Sequence, residues 1–193
     1  MNTTTSYQIP IYTIGYGNRK IDEFLKLLKK YQIQYLIDIR SSPYSKYNPD
    51  FSKHRLEAHL SECNVRYVFM GDTLGGRPSV PSCYTDGKAD YQKLREEEFY
   101  KQGITRLRNA WEQKINVVIL CSEAKPEECH RSKLIGETLI ECGIDVAHID
   151  ENGEIKTQEK VINELTNGQL SFFGPPPTIA KSRKRYQQAN GVT

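Results

Sequence analysis

Apolar runs too short to be helices recur along this chain, each followed by a stretch of helical periodicity, and that alternation constrains the fold most. NVVIL at 116–120 is the clearest of the runs, and YLIDI at 35–39 is nearly continuous, as befits a strand covered on both faces. IYTI at 11–14, VRYVF at 65–69 and DVAHI at 145–149 complete a set of five. Between them, Ile21, Phe24, Leu25 and Leu28 fall at i, i+3, i+4 and i+7, one face of a helix. Leu56, Leu60 and Cys63 repeat the spacing, as do Tyr100, Ile104, Leu107 and Trp111 within a helix expected over about 90–112. Pro126 suits a helix's first turn, and that helix is expected to run to about Cys142 and stop at Gly143, with a last one over 157–167. Strands alternating with helices predict an α/β domain, a three-layer sandwich around a mostly parallel sheet of about five strands.

The 193 residues fit one such domain, over 11–168, with an N-terminal arm at 1–10 and a tail from 174 to 193. The tail is proline-rich and then basic, which predicts flexibility. The net charge of +3 does not by itself imply nucleic acid. No apolar run approaches a membrane span, and MNTTTSYQIP lacks a signal-peptide core. The five cysteines, an odd number, argue against a disulfide framework. A cytoplasmic location with reduced thiols and no membrane partner is therefore expected.

Parallel sheets bind ligands outside the carboxyl ends of their strands, so the residues following each strand carry the functional question. The first strand leads into Gly15-Tyr16-Gly17-Asn18-Arg19, but Lys20 stands where a dinucleotide fingerprint needs a third glycine. The turn either cradles an anion or simply joins strand to helix. The second strand ends in Asp38-Ile39-Arg40, two charges on one side of a strand, serving a substrate or each other. A long connection, 70–89, carries Leu74-Gly75-Gly76-Arg77. The fourth strand runs into Cys121-Ser122-Glu123, and Cys129-His130-Arg131 follow in the next helix's first turns. A thiol near a helix start and a cation is a candidate nucleophile with His130 as its base, and equally a small core residue. Glu127 occupies the position where a phosphatase or sulfurtransferase loop needs arginine. Cys121, Cys129 and His130 are zinc-ligand types, but they lack a C-x-x-C pair and neighbours 129 and 130 seldom converge on one ion. No metal is expected, and the cofactor is left unspecified.

TIGYGNR (13–19), LIDIRSSPYS (36–45), NPDF (48–51), the LGGRP loop and LCSEAKPEECHR (120–131) together resemble domain-of-unknown-function family 488 over roughly 11–150. The resemblance implies a Rossmann-like α/β unit and places Asn18, Asp38, Arg40, Arg77, Cys121, Glu123, Cys129, His130 and Arg131 at motif positions. Expected roles are catalytic for Asp38, Cys121, Glu123 and His130, phosphate binding for Asn18, Arg40, Arg77 and Arg131, and structural or thiol for Cys129. Gln169-Leu170-Ser171-Phe172-Phe173 resembles the short peptide with which bacterial repair and replication proteins bind the sliding clamp, with Phe172 where leucine is usual. The same rings would otherwise pack on their own domain. The cluster KSRKRY at 181–186 can hold phosphate backbone or merely solubilise. The leading expectation is an enzyme of DNA repair or modification acting on nucleic acid or nucleotide, tethered to the clamp. A thiol enzyme on a small metabolite using Cys121 or Cys129 is the alternative, and a non-catalytic nucleotide-binding adaptor the third.

Overall fold

The computed structural model describes residues 9–168 and 177–186. The first half holds β1 (Ile11–Gly15), α1 (Ile21–Lys30), β2 (Tyr35–Asp38), α2 (Lys53–Glu62) and β3 (Arg66–Phe69). A short hairpin, β4 (Tyr84–Thr85) and β5 (Lys88–Ala89), precedes α3 (Tyr91–Glu96) and α4 (Glu98–Glu112). Then come β6 (Val117–Cys121), α5 (Glu137–Glu141), β7 (Val146–Ile149), β8 (Ile155–Thr157), α6 (Gln158–Thr166) and α7 (Pro177–Ala180). The main sheet has the order β3-β2-β6-β1-β7-β8, parallel except for β8, which pairs antiparallel with β7. The mostly parallel α/β sandwich is as expected, with β8 added as a sixth strand. Among the described residues, no helix is long and apolar enough to cross a membrane.

Alternation along β6 builds two cores. Val117, Ile119 and Cys121 face the core shared with Leu94, Tyr100, Ile104, Leu107, Leu134 and Leu139. Val118 and Leu120 face the core shared with Phe24 and Leu28 of α1 and Leu56 and Leu60 of α2. So the connections leaving β1 and β2 cover one face, and those leaving β3 and β6 cover the other. β6 lies between β1 and β2, and its chain departs opposite to both. Such a reversal opens a crevice over the strand ends.

Three segments differ from the sequence pattern. The helix expected over 90–112 breaks at Glu97, which is extended (φ −70°, ψ 136°). The helix expected from Pro126 breaks sooner. One 3₁₀ turn (Pro126–Glu128) gives way to extended Cys129 (φ −119°, ψ 148°), and Arg131–Gly136 then form a π-helical turn. The tail expected to be flexible from Gly174 packs instead over 177–186. Ile179 and Ser182 are buried. Ala89 N–H donates to Ser182 Oγ (3.0 Å), Ser182 N–H to the Ala89 carbonyl (2.9 Å), and Tyr186 N–H to the Gly87 carbonyl (2.7 Å). The free edge of the β4–β5 hairpin supplies these backbone groups, which is why a polar, basic segment settles there. Gln169, Leu170, Phe172 and Phe173 lie outside the described residues.

Candidate functional site

Cys121 ends β6 with its side chain in the α4 and α5 core, and the chain then turns over the strand end. The turn is braced from β1, where Tyr16 and Gly17 N–H groups donate to the Cys121 and Ser122 carbonyls (3.2 and 3.0 Å). Gly15 is required by that closeness, since an added Cβ would stand 1.7 Å from the Glu123 carbonyl oxygen. The GYGN turn thus supports the β6 end, and Asn18 is exposed outside the pocket described below.

The break at Cys129 lets neighbouring side chains converge. Extended Cys129 and helical His130 (φ −63°, ψ −18°) aim at one point with Cys121. Their ligand atoms, two sulfurs and one imidazole nitrogen, all lie within 4.8 Å of one another. His130 Nδ1 is 3.8 Å from Cys121 Sγ and 3.7 Å from Cys129 Sγ. The Glu123 carboxylate accepts from both thiols, at 2.9 Å from Cys121 and 3.4 Å from Cys129. Across the ring, His130 Nε2 lies 3.2 Å from the Leu74 carbonyl. Nε2 must carry the proton to donate there, which leaves the Nδ1 lone pair facing the sulfurs. The LGGR loop lies flat on this imidazole: a Cβ on Gly76 would come within 2.8 Å of Nδ1. Neighbours 129 and 130 thus do bring their ligand-type atoms to one place, beside Cys121.

Charge is shared unevenly within the cluster. Burial opposes ionisation of Glu123, but the hydrogen bond from Cys121 and the nearby His130 outweigh it and hold the carboxyl at about 2. The Cys121 thiol is pulled below its ordinary value by the hydrogen bond from Cys129, with His130 adding to this against burial. Burial pushes Cys129 up. Burial also disfavours the His130 imidazolium, yet Cys121 beside it raises its pKa.

The other polar cluster follows β2. Asp38 is fully buried and accepts from Arg40 Nε (2.8 Å), Arg40 Nη2 (2.5 Å), the Arg40 backbone (3.1 Å) and Tyr67 Oη (2.8 Å). Arg40 spends its remaining Nη on the Phe51 carbonyl (2.8 Å) and lies over the Tyr16 ring (5.3 Å). Arg131 is fully buried behind the β6 end and donates to the Glu123 and Ala124 carbonyls (3.0 and 2.8 Å). Of the three arginines expected to clamp phosphate, Arg40 and Arg77 line the pocket, Arg40 buried with its hydrogen bonds turned onto Asp38 and Phe51 and Arg77 exposed, while Arg131 lies behind it.

A polar pocket of about 320 Å³ opens above β6. Cys121, Glu123 and His130 lie in its floor, and Tyr44, Arg77 and Tyr186 stand around it. The Arg77 guanidinium sits 4.4 Å over the Tyr186 ring. On the far side Tyr44 and Tyr47 are 69 % and 94 % exposed, and Lys46 lies 5.9 Å from the Tyr47 ring. Tyr44, Tyr67 and Tyr186 are not singled out by the sequence pattern. Tyr44 had its place in the LIDIRSSPYS motif and Tyr186 its place beside the basic cluster, while Tyr67 carried no signal.

The sequence family described as "Domain of unknown function DUF488" matches residues 20–137. The chain belongs to DUF488. The DUF488 match contains the Asp38–Arg40 cluster, Arg77 and the whole Cys121–Arg131 block, and it begins just after Asn18. No curated protein and no solved structure matches the chain.

Proposed function

We propose that the strand-end pocket is the active site of an enzyme acting on nucleic acid, with a single strand as its substrate. One observation supports this most: tyrosine rings and arginines line an opening whose floor holds Cys121, Glu123 and His130. Unpaired bases stack on aromatic side chains, and cations follow the backbone between them. Tyr44 and the exposed Tyr47 offer faces, Tyr186 offers its ring once Arg77 moves aside, and Lys46, Arg77, Lys184 and Arg185 supply charge. Lys181 and Arg183 are paired with Asp86 (3.9 Å) and Glu128 (2.8 Å), whereas Lys184 and Arg185 make no ion pair among the described residues. A duplex would bury its bases from such faces, so the single strand is the better fit.

The test is fluorescence anisotropy of labelled DNA and RNA, single-stranded and duplex, over a salt series, followed by incubation and product analysis. Single strands should bind more tightly than duplex and lose affinity with salt. Equal weakness toward every oligonucleotide at low salt would reject the reading.

A further inference from the structure

We infer that Cys121, Cys129 and His130 bind one zinc ion, with the Glu123 carboxylate at its fourth corner. Zinc is held tetrahedrally, at ~2.3 Å from sulfur and ~2.0–2.1 Å from imidazole nitrogen. Those lengths put sulfur and nitrogen about 3.6 Å apart across a tetrahedron's edge. The sulfur–nitrogen separations here are 3.8 and 3.7 Å. Both fit two ligands of one ion. The Glu123 oxygen lies 2.9 and 3.4 Å from the two sulfurs, so it needs only a small outward shift.

The surroundings agree with the donors. A metal-ligating histidine commonly gives its other ring N–H to a carbonyl or carboxylate, which fixes the tautomer and the ring plane. Leu74 provides that carbonyl, and Gly76 leaves room for the ring. Two thiolates and a carboxylate would put three negative charges side by side in a partly buried site. A divalent cation, with the Arg131 guanidinium behind, neutralises them. Each thiol loses its proton to solvent as its metal–sulfur bond forms. Two sulfurs and a nitrogen in a tetrahedral set select zinc over magnesium or calcium. The Glu123 corner faces the pocket, so a water or substrate atom can replace the carboxylate there, as in zinc sites that keep one exchangeable position.

This inference concerns the pocket of the proposed enzyme but stands on donor geometry alone, and its test involves no nucleic acid. The full chain, untagged and purified without chelator, should carry about one zinc by mass spectrometric metal analysis. Stripped protein reloaded with Co²⁺ should show the strong near-ultraviolet sulfur-to-cobalt band and the intense visible bands of a tetrahedral site. His130→Ala should weaken retention, and Cys121→Ser with Cys129→Ser should abolish it. Cys63→Ser with Cys142→Ser, which alters thiols elsewhere, should retain the metal in full. The cobalt spectrum of the wild-type chain needs no variant, so misfolding cannot decide the outcome. Substoichiometric metal with no thiolate–cobalt band would overturn the inference, as would full metal content in the Cys121→Ser, Cys129→Ser protein. Oligonucleotide binding that persists in either case would leave the proposed substrate standing without the zinc.

Discussion

Two polar clusters sit at neighbouring strand ends, and they differ in how their hydrogen bonds close. Around Asp38, the contacts run from 2.5 to 3.1 Å and end on partners within the cluster or on the Phe51 backbone. Around Cys121, three donor atoms converge with two separations of 3.7–3.8 Å, beside a pocket open to solvent. A buried charge with all its bonds made is a device for holding structure. The groups around Cys121 are also bonded to one another, but over longer separations and with Glu123 at the pocket, so a ligand can reach them.

The comparison breaks most easily at Asp38. Asp38→Ala strands the Arg40 guanidinium in the core and takes an acceptor from Tyr67. Removing one partner of a buried pair typically costs ~3–5 kcal/mol, so the denaturant midpoint should fall sharply. Glu123→Gln keeps the shape and faces the pocket, and it should change stability far less while altering metal retention. If the two substitutions cost the same stability, the division into a closed and an open cluster is wrong.

His148 extends the closed class to a third place. Its Nδ1 is 2.7 Å from Thr13 Oγ1 and its Nε2 2.6 Å from Gln158 Oε1 at the start of α6, all three buried. Burial, reinforced by Arg131, lowers its pKa from the ordinary 6.5 to about 3. The unfolded chain therefore binds a proton that the folded chain refuses between those two values. This contribution to stability is complete above about pH 6.5 and is lost as pH falls toward 3. Every tenfold difference in proton affinity between the two states corresponds to about 1.4 kcal/mol. Denaturant unfolding of the wild type and of His148→Gln across that range should differ in slope, the wild type falling more steeply on acidification. Parallel curves would show that His148 titrates alike in both states.

The layers were legible in the sequence because burial on both faces leaves unbroken apolar runs, as in 117–121. The break at Cys129 was not. Pro126, Glu127 and Glu128 start a helix equally well in a 3₁₀ turn, and nothing local announces that Cys129 is extended. The convergence of Cys121, Cys129 and His130 depends on that one residue's ψ. The closed state of Asp38 and Arg40 was also left open, because Tyr67 and Phe51, which complete it, come from β3 and from the turn at 49–51. The packing of 177–186 depends on the hairpin edge at 87–89, about ninety residues earlier.

The rim offers a smaller effect. Tyr186 is half-buried between Arg77 and the core that holds Tyr91 and Leu94, so Tyr186→Ala should lower stability modestly, well short of the Asp38 loss. A base that takes Arg77's place on its ring contributes ~1–3 kcal/mol, so single-strand affinity should drop by about tenfold with the metal content unchanged. A loss of stability without loss of binding would make Tyr186 a strap for the long connection and nothing else.

The mildest expected effect comes from Lys184→Ala with Arg185→Ala. Both side chains are exposed, and the segment's anchoring comes from Ile179, Ser182 and the Tyr186 backbone. Folding, zinc content and the Arg77–Tyr186 contact should therefore survive. The readout is the dependence of binding on salt. Each phosphate contact on a single strand contributes roughly 0.7 to the slope of log affinity against log salt. Losing two should flatten the slope by about 1.4, almost equally for every sequence, because backbone contacts carry no base information. The effect at physiological salt is modest because counterion release counts for less there. An unchanged slope would assign these two cations to solubility and confine the nucleic-acid contacts to Lys46, Arg77 and the tyrosines. A slope change limited to certain sequences would mean instead that the segment touches bases, and so lies across the pocket mouth rather than beside it.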